Sequence, residues 1–271
     1  MDMSRVTEQG LVLLGCGKMG SAMLAGWFEH GLPASSVWVV DPYPSDWLKA
    51  QCVNINTPLP EAPAVVLVAV KPQIMGEALP AIKALGGGSS LFISVAVGTS
   101  INTFEDVLGE GTPIVRAMPN TPAAIRQGIT ALIGNSVASN DDVALAEDLL
   151  SAIGETVRLD DESQMDAVTG LSGSGPAYVF HLIETLAAAG QTQGLPHDLA
   201  MKLAKSTVAG AGALAMAADE DPAQLRINVT SPNGTTQAAL EVLMHEEEGF
   251  PDLLHRAVKA ATDRSKELSC E

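Results

Sequence analysis

Cysteine is scarce in this 271-residue sequence, and the three present, Cys16, Cys52 and Cys270, are odd in number, far apart and without CxxC or CxxH spacing. That pattern supports neither a disulfide framework nor a zinc site, and it fits a reducing compartment. His30, His197, His245 and His255 are scattered with no metal-ligand spacing, so no metal is expected. Basic residues are also few: 15 Lys and Arg face 32 Asp and Glu, giving a formal net charge of −17 and a pI near 4.5. Nucleic acid and anionic membranes are recognised by clustered cations, so neither is an expected partner. Long apolar runs are missing as well. The Ala- and Gly-rich uncharged run from Ser206 to Ala218 is too short to span a bilayer. The opening MDMSRVTEQG carries acids ahead of a short apolar run that breaks at Gly15, unlike a signal peptide. The expected location is the cytoplasm.

What is present is ordinary for a globular chain, with 46% hydrophobic and 17% charged residues over a length that suits two domains. In the first half, short β-branched runs (Leu11 to Gly15, Val37 to Asp41, Val65 to Val70, Leu91 to Val97, Pro113 to Met118) alternate with helical patterns starting near Lys18, Ser45, Pro72 and Ser100. Continuous apolar strands separated by helices specify a doubly wound parallel sheet buried on both faces. Ile129 to Gly134 and Glu155 to Leu159, flanking a helix near Asp141, extend it. After about Asp160 the strand signal stops, and segments from Ser163, Gly175, Pro196, Asp221, Thr235 and Pro251 read as helices. Residues 1–160 are therefore expected to form an α/β domain and residues 161–271 an all-α one. The Ala- and Gly-rich helices after Gly175 and Pro196 are apolar on more than one face, which in so small a domain requires cover from another subunit. His181, on one of them, reads as packed, and the run Glu246 to Glu248 as solvated.

GCGKMG, Gly15 to Gly20, follows the first strand and opens a helix, the setting in which GxGxxG signals dinucleotide binding. Gly15 permits the tight turn, Gly17 lets a pyrophosphate approach the backbone, and Gly20 lets the helix pack on the strand; Cys16, Lys18 and Met19 complete the loop. The helix beginning near Lys18 offers free N–H groups to the anion. Asp41, at the end of the second strand, stands where a carboxylate meets ribose hydroxyls. No Arg or Lys follows until Lys49, so local chemistry favours NADH over NADPH, unless Asp41 turns away to cap the next helix. AVKPQ, with Val70, Lys71 and Pro72, and SVAVG, with Ala96, end two further strands at the same sheet edge and are candidate cofactor contacts, although Pro72 is also a natural helix starter.

SPNGTTQAALEVL, from Ser231, has a different character: a turn delivers two threonines to a helix start, with no charged residue before Glu241. Together with GCGKMG, AVKPQ, RAMPNTP (Arg116 to Pro122) and GLSGSGPAYVF (Gly170 to Phe180), it resembles the pyrroline-5-carboxylate reductase family, in order over nearly the whole chain. The resemblance implies an N-terminal Rossmann domain and a C-terminal all-α dimerisation domain, a homodimer able to assemble into a ring of dimers, and an active site between the cofactor and helices of both subunits. It implies NADPH as the usual cofactor and a small cyclic imino acid as substrate. Ser231, Asn233, Gly234 and Thr235 then form a carboxylate cradle, Thr236 lies against the substrate nitrogen as the catalytic residue, Ser172 and Ser174 line the substrate pocket, and Met118, Pro119 and Asn120 lie beside the nicotinamide. On the residues alone, Thr235 or Thr236 could instead cap the helix, Ser172 and Ser174 could be cap and first-turn residues, and RAMPNTP could be a rigid turn.

A helix N-terminus offers an anion several N–H donors without fixed charge, and a hydroxyl can donate to an imine or accept from an amine. The implied reaction is hydride transfer from a reduced nicotinamide to the imine carbon. A protonated imine is already electrophilic, so a pocket of hydroxyls without Lys, His or Glu suffices. A β-hydroxyacid dehydrogenase would place its lysine at Val179 and its asparagine at Ile183, and related imine reductases keep a polar residue at the former, so both readings weaken. A protein that binds the nucleotide without catalysis stays open.

Overall fold

Strands in the first half are spaced so that alternate residues feed opposite layers, and the core divides accordingly. In the computed structural model, which describes residues 3–270, α1 (Ser4–Gln9) precedes β1 (Leu11–Leu14), α2 (Lys18–Glu29) and β2 (Val37–Val40). Then come α3 (Asp46–Lys49), β3 (Asn54–Ile55), β4 (Val65–Val68), α4 (Met75–Ala78), β5 (Leu91–Ser94), α5 (Ile101–Leu108) and β6 (Ile114–Met118). β7 (Gly128–Gly134), α6 (Asn140–Ser151), β8 (Gly154–Arg158) and α7 (Met165–Val168) complete the series. Leu11, Leu13, Val37, Val39, Val65, Leu67, Leu91 and Ile93 pack with Met23, Leu24 and Trp27 of α2 and Leu149 and Leu150 of α6. Val12, Leu14, Val66, Val68 and Phe92 face the other way, onto Met75, Leu79, Ile82, Phe104 and Leu108. Each such side chain, fully buried, contributes on the order of 1.5–3 kcal/mol.

The strand order is β3-β2-β1-β4-β5-β6-β7-β8, and every pairing is parallel except β6 with β7. The antiparallel pair departs from the all-parallel expectation. The connection between those strands is a single 3-10 turn, Thr121–Ile125, rather than a crossover helix, and so short a connection reverses the chain. The two-residue β3 and the helix α1 had no signal. The helix expected from Pro72 is broken into a 3-10 turn Pro72–Ile74, the single turn α4 and a 3-10 stretch Leu79–Leu85; Pro80 within it has no amide to bond backward.

Contacts group residues up to Gly173, together with those from Ala261 onward, into one unit, and Ser174–Ala260 into a second. The first helical turns after residue 160 thus belong with the sheet. The second unit holds α8 (Gly175–Thr192), α9 (His197–Ala217), α10 (Pro222–Asn228), α11 (Thr235–Leu243) and the start of α12 (Phe250–Cys270). Its buried apolar cluster is small, with Ala187, Ala200 and Ala204 packed by Ile183 and Met201, while Phe180 at 63%, Met216 at 73% and Val242 at 71% are exposed in the single chain. His181 is exposed too and hydrogen-bonds Glu184 at 3.2 Å, so it is not the packed residue expected from its apolar neighbours. The run Glu246 to Glu248 is exposed.

Candidate functional site

The strand order reverses at β1, flanked by β2 and β4, and the carboxyl ends of these strands form the crevice in which doubly wound sheets bind ligands. Gly15 turns the chain there with φ +85°, and a Cβ on it would lie 2.8 Å from Val70 Cγ1. A Cβ on Gly20 would lie 2.7 Å from the Gly15 carbonyl oxygen, so helix and strand approach as the motif requires. Gly17 has nothing within 4 Å of the corresponding point, which leaves its backbone open on that side. It is the N-cap of α2 and has no side chain to cap with, so the first amides of this twelve-residue helix are available to an anion. The three glycines thus fit a pyrophosphate.

Asp41 is half-buried at the end of β2, and both of its oxygens are engaged. Oδ2 accepts the Cys16 N–H at 2.9 Å and Oδ1 the Tyr43 N–H at 2.8 Å. It does not cap the following helix: Ser45 does, its hydroxyl accepting the Leu48 N–H at 3.1 Å. Each carboxylate oxygen keeps a further acceptor direction, so ribose hydroxyls remain compatible partners. Lys49, the first cation after Asp41, pairs with Asp46 at 3.1 Å. Cys16 is buried, and burial pushes its thiol pKa up, opposed by the Ser21 hydroxyl and assisted by the Asp41 charge. The thiol therefore stays protonated at neutral pH.

Val70 and Lys71 lie just past β4, Val70 half-buried and Lys71 exposed, and Pro72 starts the 3-10 turn. Ala96, just past β5, is buried. Met118 and Pro119, at the end of β6, are buried as well, and Asn120 is half-buried. Arg116 on the same strand is 6% exposed and donates at 2.6 Å to Glu162 Oε1, which also accepts the Ile101 N–H at the start of α5. This pairing had no sequence signal.

Residues Thr169–Gly173 form a π-helical turn, a distortion frequent at functional sites. Ser172 donates its hydroxyl to the Val168 carbonyl at 3.1 Å, and Ser174 occupies the N-cap position of α8 without a side-chain cap bond, so the capping alternative fails for it.

In the second unit, Ser231 to Gly234 form the turn anticipated, with the Gly234 N–H bonded to the Ser231 carbonyl at 3.0 Å and Asn233 at φ +57°. Gly234, not a threonine, is the N-cap of α11, and no side chain caps the helix. Thr235 is exposed and Thr236 half-buried in the first turn. Gln237 reaches back so that its Oε1 accepts the Asn233 N–H at 2.8 Å. A neighbouring groove of about 510 Å³ is lined by Arg226, Ile227, Thr230, Gln237, Leu240, Glu241 and Met244, and excludes both threonines. Among the described residues no cluster of His, Cys, Asp and Glu could hold a metal ion, and no helix is long and apolar enough to cross a membrane.

Residues 162–268 match the family model described as pyrroline-5-carboxylate reductase dimerisation, and residues 10–98 match one described as NADP oxidoreductase, coenzyme F420-dependent. A pyrroline-5-carboxylate reductase of Pseudomonas aeruginosa is 38% identical over 265 residues, 96% of each chain. The solved structure of the corresponding enzyme from Coxiella burnetii superposes with a TM-score of 0.89 at 34% identity, covering 96% of this chain and 98% of that one. One from Plasmodium falciparum with NADP bound does so with a TM-score of 0.85 at 30% identity, over 97% and 99%.

Proposed function

From the premise that the chain belongs to the pyrroline-5-carboxylate reductase family, we propose which of its residues carry the reaction. The activity is the NAD(P)H-dependent reduction of the cyclic imine pyrroline-5-carboxylate to proline, the last step of proline biosynthesis. Residues 1–160 serve nucleotide binding, and residues 161–271 serve substrate binding and dimerisation. The nucleotide pyrophosphate rests on the amides at the start of α2, with Gly15, Cys16, Gly17, Lys18, Met19 and Gly20 around it, and Val70, Lys71, Pro72 and Ala96 along the crevice. Met118 and Pro119 face the nicotinamide, which supplies the hydride.

Ser231, Asn233, Gly234 and Thr235 receive the substrate carboxylate, Ser172 and Ser174 line its ring, and the Thr236 hydroxyl meets the ring nitrogen. The observation that carries this assignment is the uncapped start of α11: no side chain caps it, so the hydroxyls and first amides of Thr235 and Thr236 are not committed to capping. A hydroxyl there accepts from an iminium or donates to an imine, following the nitrogen's protonation.

The engaged but still accepting Asp41, with Lys49 tied to Asp46, favours NADH being used well beside the family's NADPH. The exposed apolar helices of the second unit support a homodimer, and a ring of dimers is compatible with it. We place the enzyme in the cytoplasm, on its acidic charge and scattered cysteines. The test is the consumption of NADPH and of NADH with pyrroline-5-carboxylate, followed by absorbance. Turnover with proline as product is expected, and none with either nucleotide would overturn the reading.

A further inference from the structure

Ser172 presents a carbonyl that its own helix cannot satisfy in the ordinary way. An α-helix would bond it to the amide four residues on, but that residue is Pro176, which has no N–H. The next amide, of Ala177, is bonded to the Ser174 carbonyl at 3.0 Å. The Ser172 carbonyl instead accepts from Asn120 Nδ2 at 3.1 Å, across 52 residues of sequence. The other end of the same amide is also fixed, Oδ1 accepting the Ile129 N–H of β7 at 3.0 Å. A backbone donor at one end and a backbone acceptor at the other allow only one orientation of the Asn120 amide. Beside it, a Cβ on Gly173 would lie 2.5 Å from Met118 Cε, so the strand end and the π-helical turn are in direct contact there.

We propose that Asn120 is a positioning residue: its side chain replaces the amide missing at Pro176 and holds the Thr169–Gly173 turn in register with the end of β6. The role differs from direct contact with the nicotinamide. It acts through Ser172 and Ser174, and in that respect rests on their assignment to the substrate pocket. Loss of the amide frees the Ser172 carbonyl and loosens the turn that presents both hydroxyls. The nucleotide loop, at the ends of β1 and β2, does not depend on it. The effect therefore falls on the substrate and not on the nucleotide.

The test uses the full-length enzyme with Asn120→Ala and with the near-isosteric Asn120→Asp, whose second oxygen would face the Ser172 carbonyl and repel it. We expect the KM for pyrroline-5-carboxylate to rise at least tenfold in both, with the dissociation constant for the reduced nucleotide, read by its fluorescence, within about twofold of wild type. Hydrogen exchange in peptides covering residues 169–177, without substrate, should be at least tenfold faster. Nucleotide affinity falling in step with turnover would make Asn120 a cofactor contact and overturn the proposal, as would unchanged exchange and KM. A lowered melting temperature with wild-type kinetics in the folded fraction would overturn it too. An inactive wild type would count against the functional reading alone, since the exchange measurement reports on the Asn120 bond without catalysis.

Discussion

The Asp41 carboxylate holds the Cys16 amide at 2.9 Å, so the residue proposed to meet the ribose also ties the glycine-rich loop to the end of β2. On the proposed reading, one side chain serves both loop geometry and nucleotide choice. Asp41→Ser should shift the ratio of kcat/KM for NADPH over NADH toward NADPH by about tenfold, what one charge-assisted hydrogen bond of roughly 1.5 kcal/mol represents. Because the loop loses its tie, affinity for both nucleotides should also weaken. Steady-state kinetics with each nucleotide checks both effects, and an unchanged ratio would remove Asp41 from discrimination.

Thr236→Ala deletes a hydroxyl that caps nothing, since Gly234 occupies the N-cap of α11. The variant should melt within about 0.5 kcal/mol of wild type yet lose tenfold or more in kcat/KM. A clear loss of stability with normal turnover in the folded fraction would return Thr236 to a structural role.

Glu162→Ala strands Arg116, whose side chain is 8% exposed, and frees the Ile101 amide. An uncompensated buried charge costs about 3 kcal/mol, and chemical denaturation should register a loss of that order. Glu162→Gln, which keeps an acceptor, should cost less; equal losses would show that the charge is immaterial.

Acid should weaken the joint between α1 and α6 by a defined route. Burial raises the Asp142 pKa, but hydrogen bonds from Ser139 and Arg5 outweigh it and leave the carboxyl below its ordinary value. A lowered folded-state pKa means that the stabilisation is complete above the unfolded value, about 4, and is lost as pH falls through the folded one. The melting temperature of Asp142→Asn should therefore trail wild type most above about pH 5 and converge with it in stronger acid. A gap independent of pH would contradict this.

Gly210→Leu and Gly212→Leu test the homodimer without confusion from the chain's own packing, because a Cβ at either position meets nothing within 4 Å in the single chain. Leucine also favours helix over glycine by roughly 0.8 kcal/mol, so the isolated helix gains. Dissociation or loss of folding would then come from a neighbouring subunit, and sedimentation or light scattering measures it. A stable, fully active dimer would place these glycines outside the interface.

The sheet was legible because strands covered on both faces, such as Val65–Val68, are continuous apolar runs bounded by turn formers. β3 was not, since Asn54 and Ile55 are too few to show a period, and the direction of β7 was hidden because it depends on how short its connection is. At the site, GCGKMG declared itself through spacing and context. The bonds from Asp41 to Cys16 and from Asn120 to Ser172 did not, since those partners lie 25 and 52 residues away, beyond any local pattern. The capping alternative for Thr235 and Thr236 could not be settled locally either, because glycine and threonine both serve as N-caps.

α12 starts in the helical unit and ends with the sheet, where Ser265 Oγ donates to Asp166 at 2.6 Å and Leu268 lies against Gly98. The helical unit is therefore an insertion in the chain, entered after Gly173 and left after Ala260. An exchange of that unit with a relative needs two splice points instead of one, and a nucleotide-binding fragment cut after residue 160 would lack the closing turns of its own fold. A fusion partner at the C-terminus would be attached to the nucleotide-binding half, although in sequence it follows the helices.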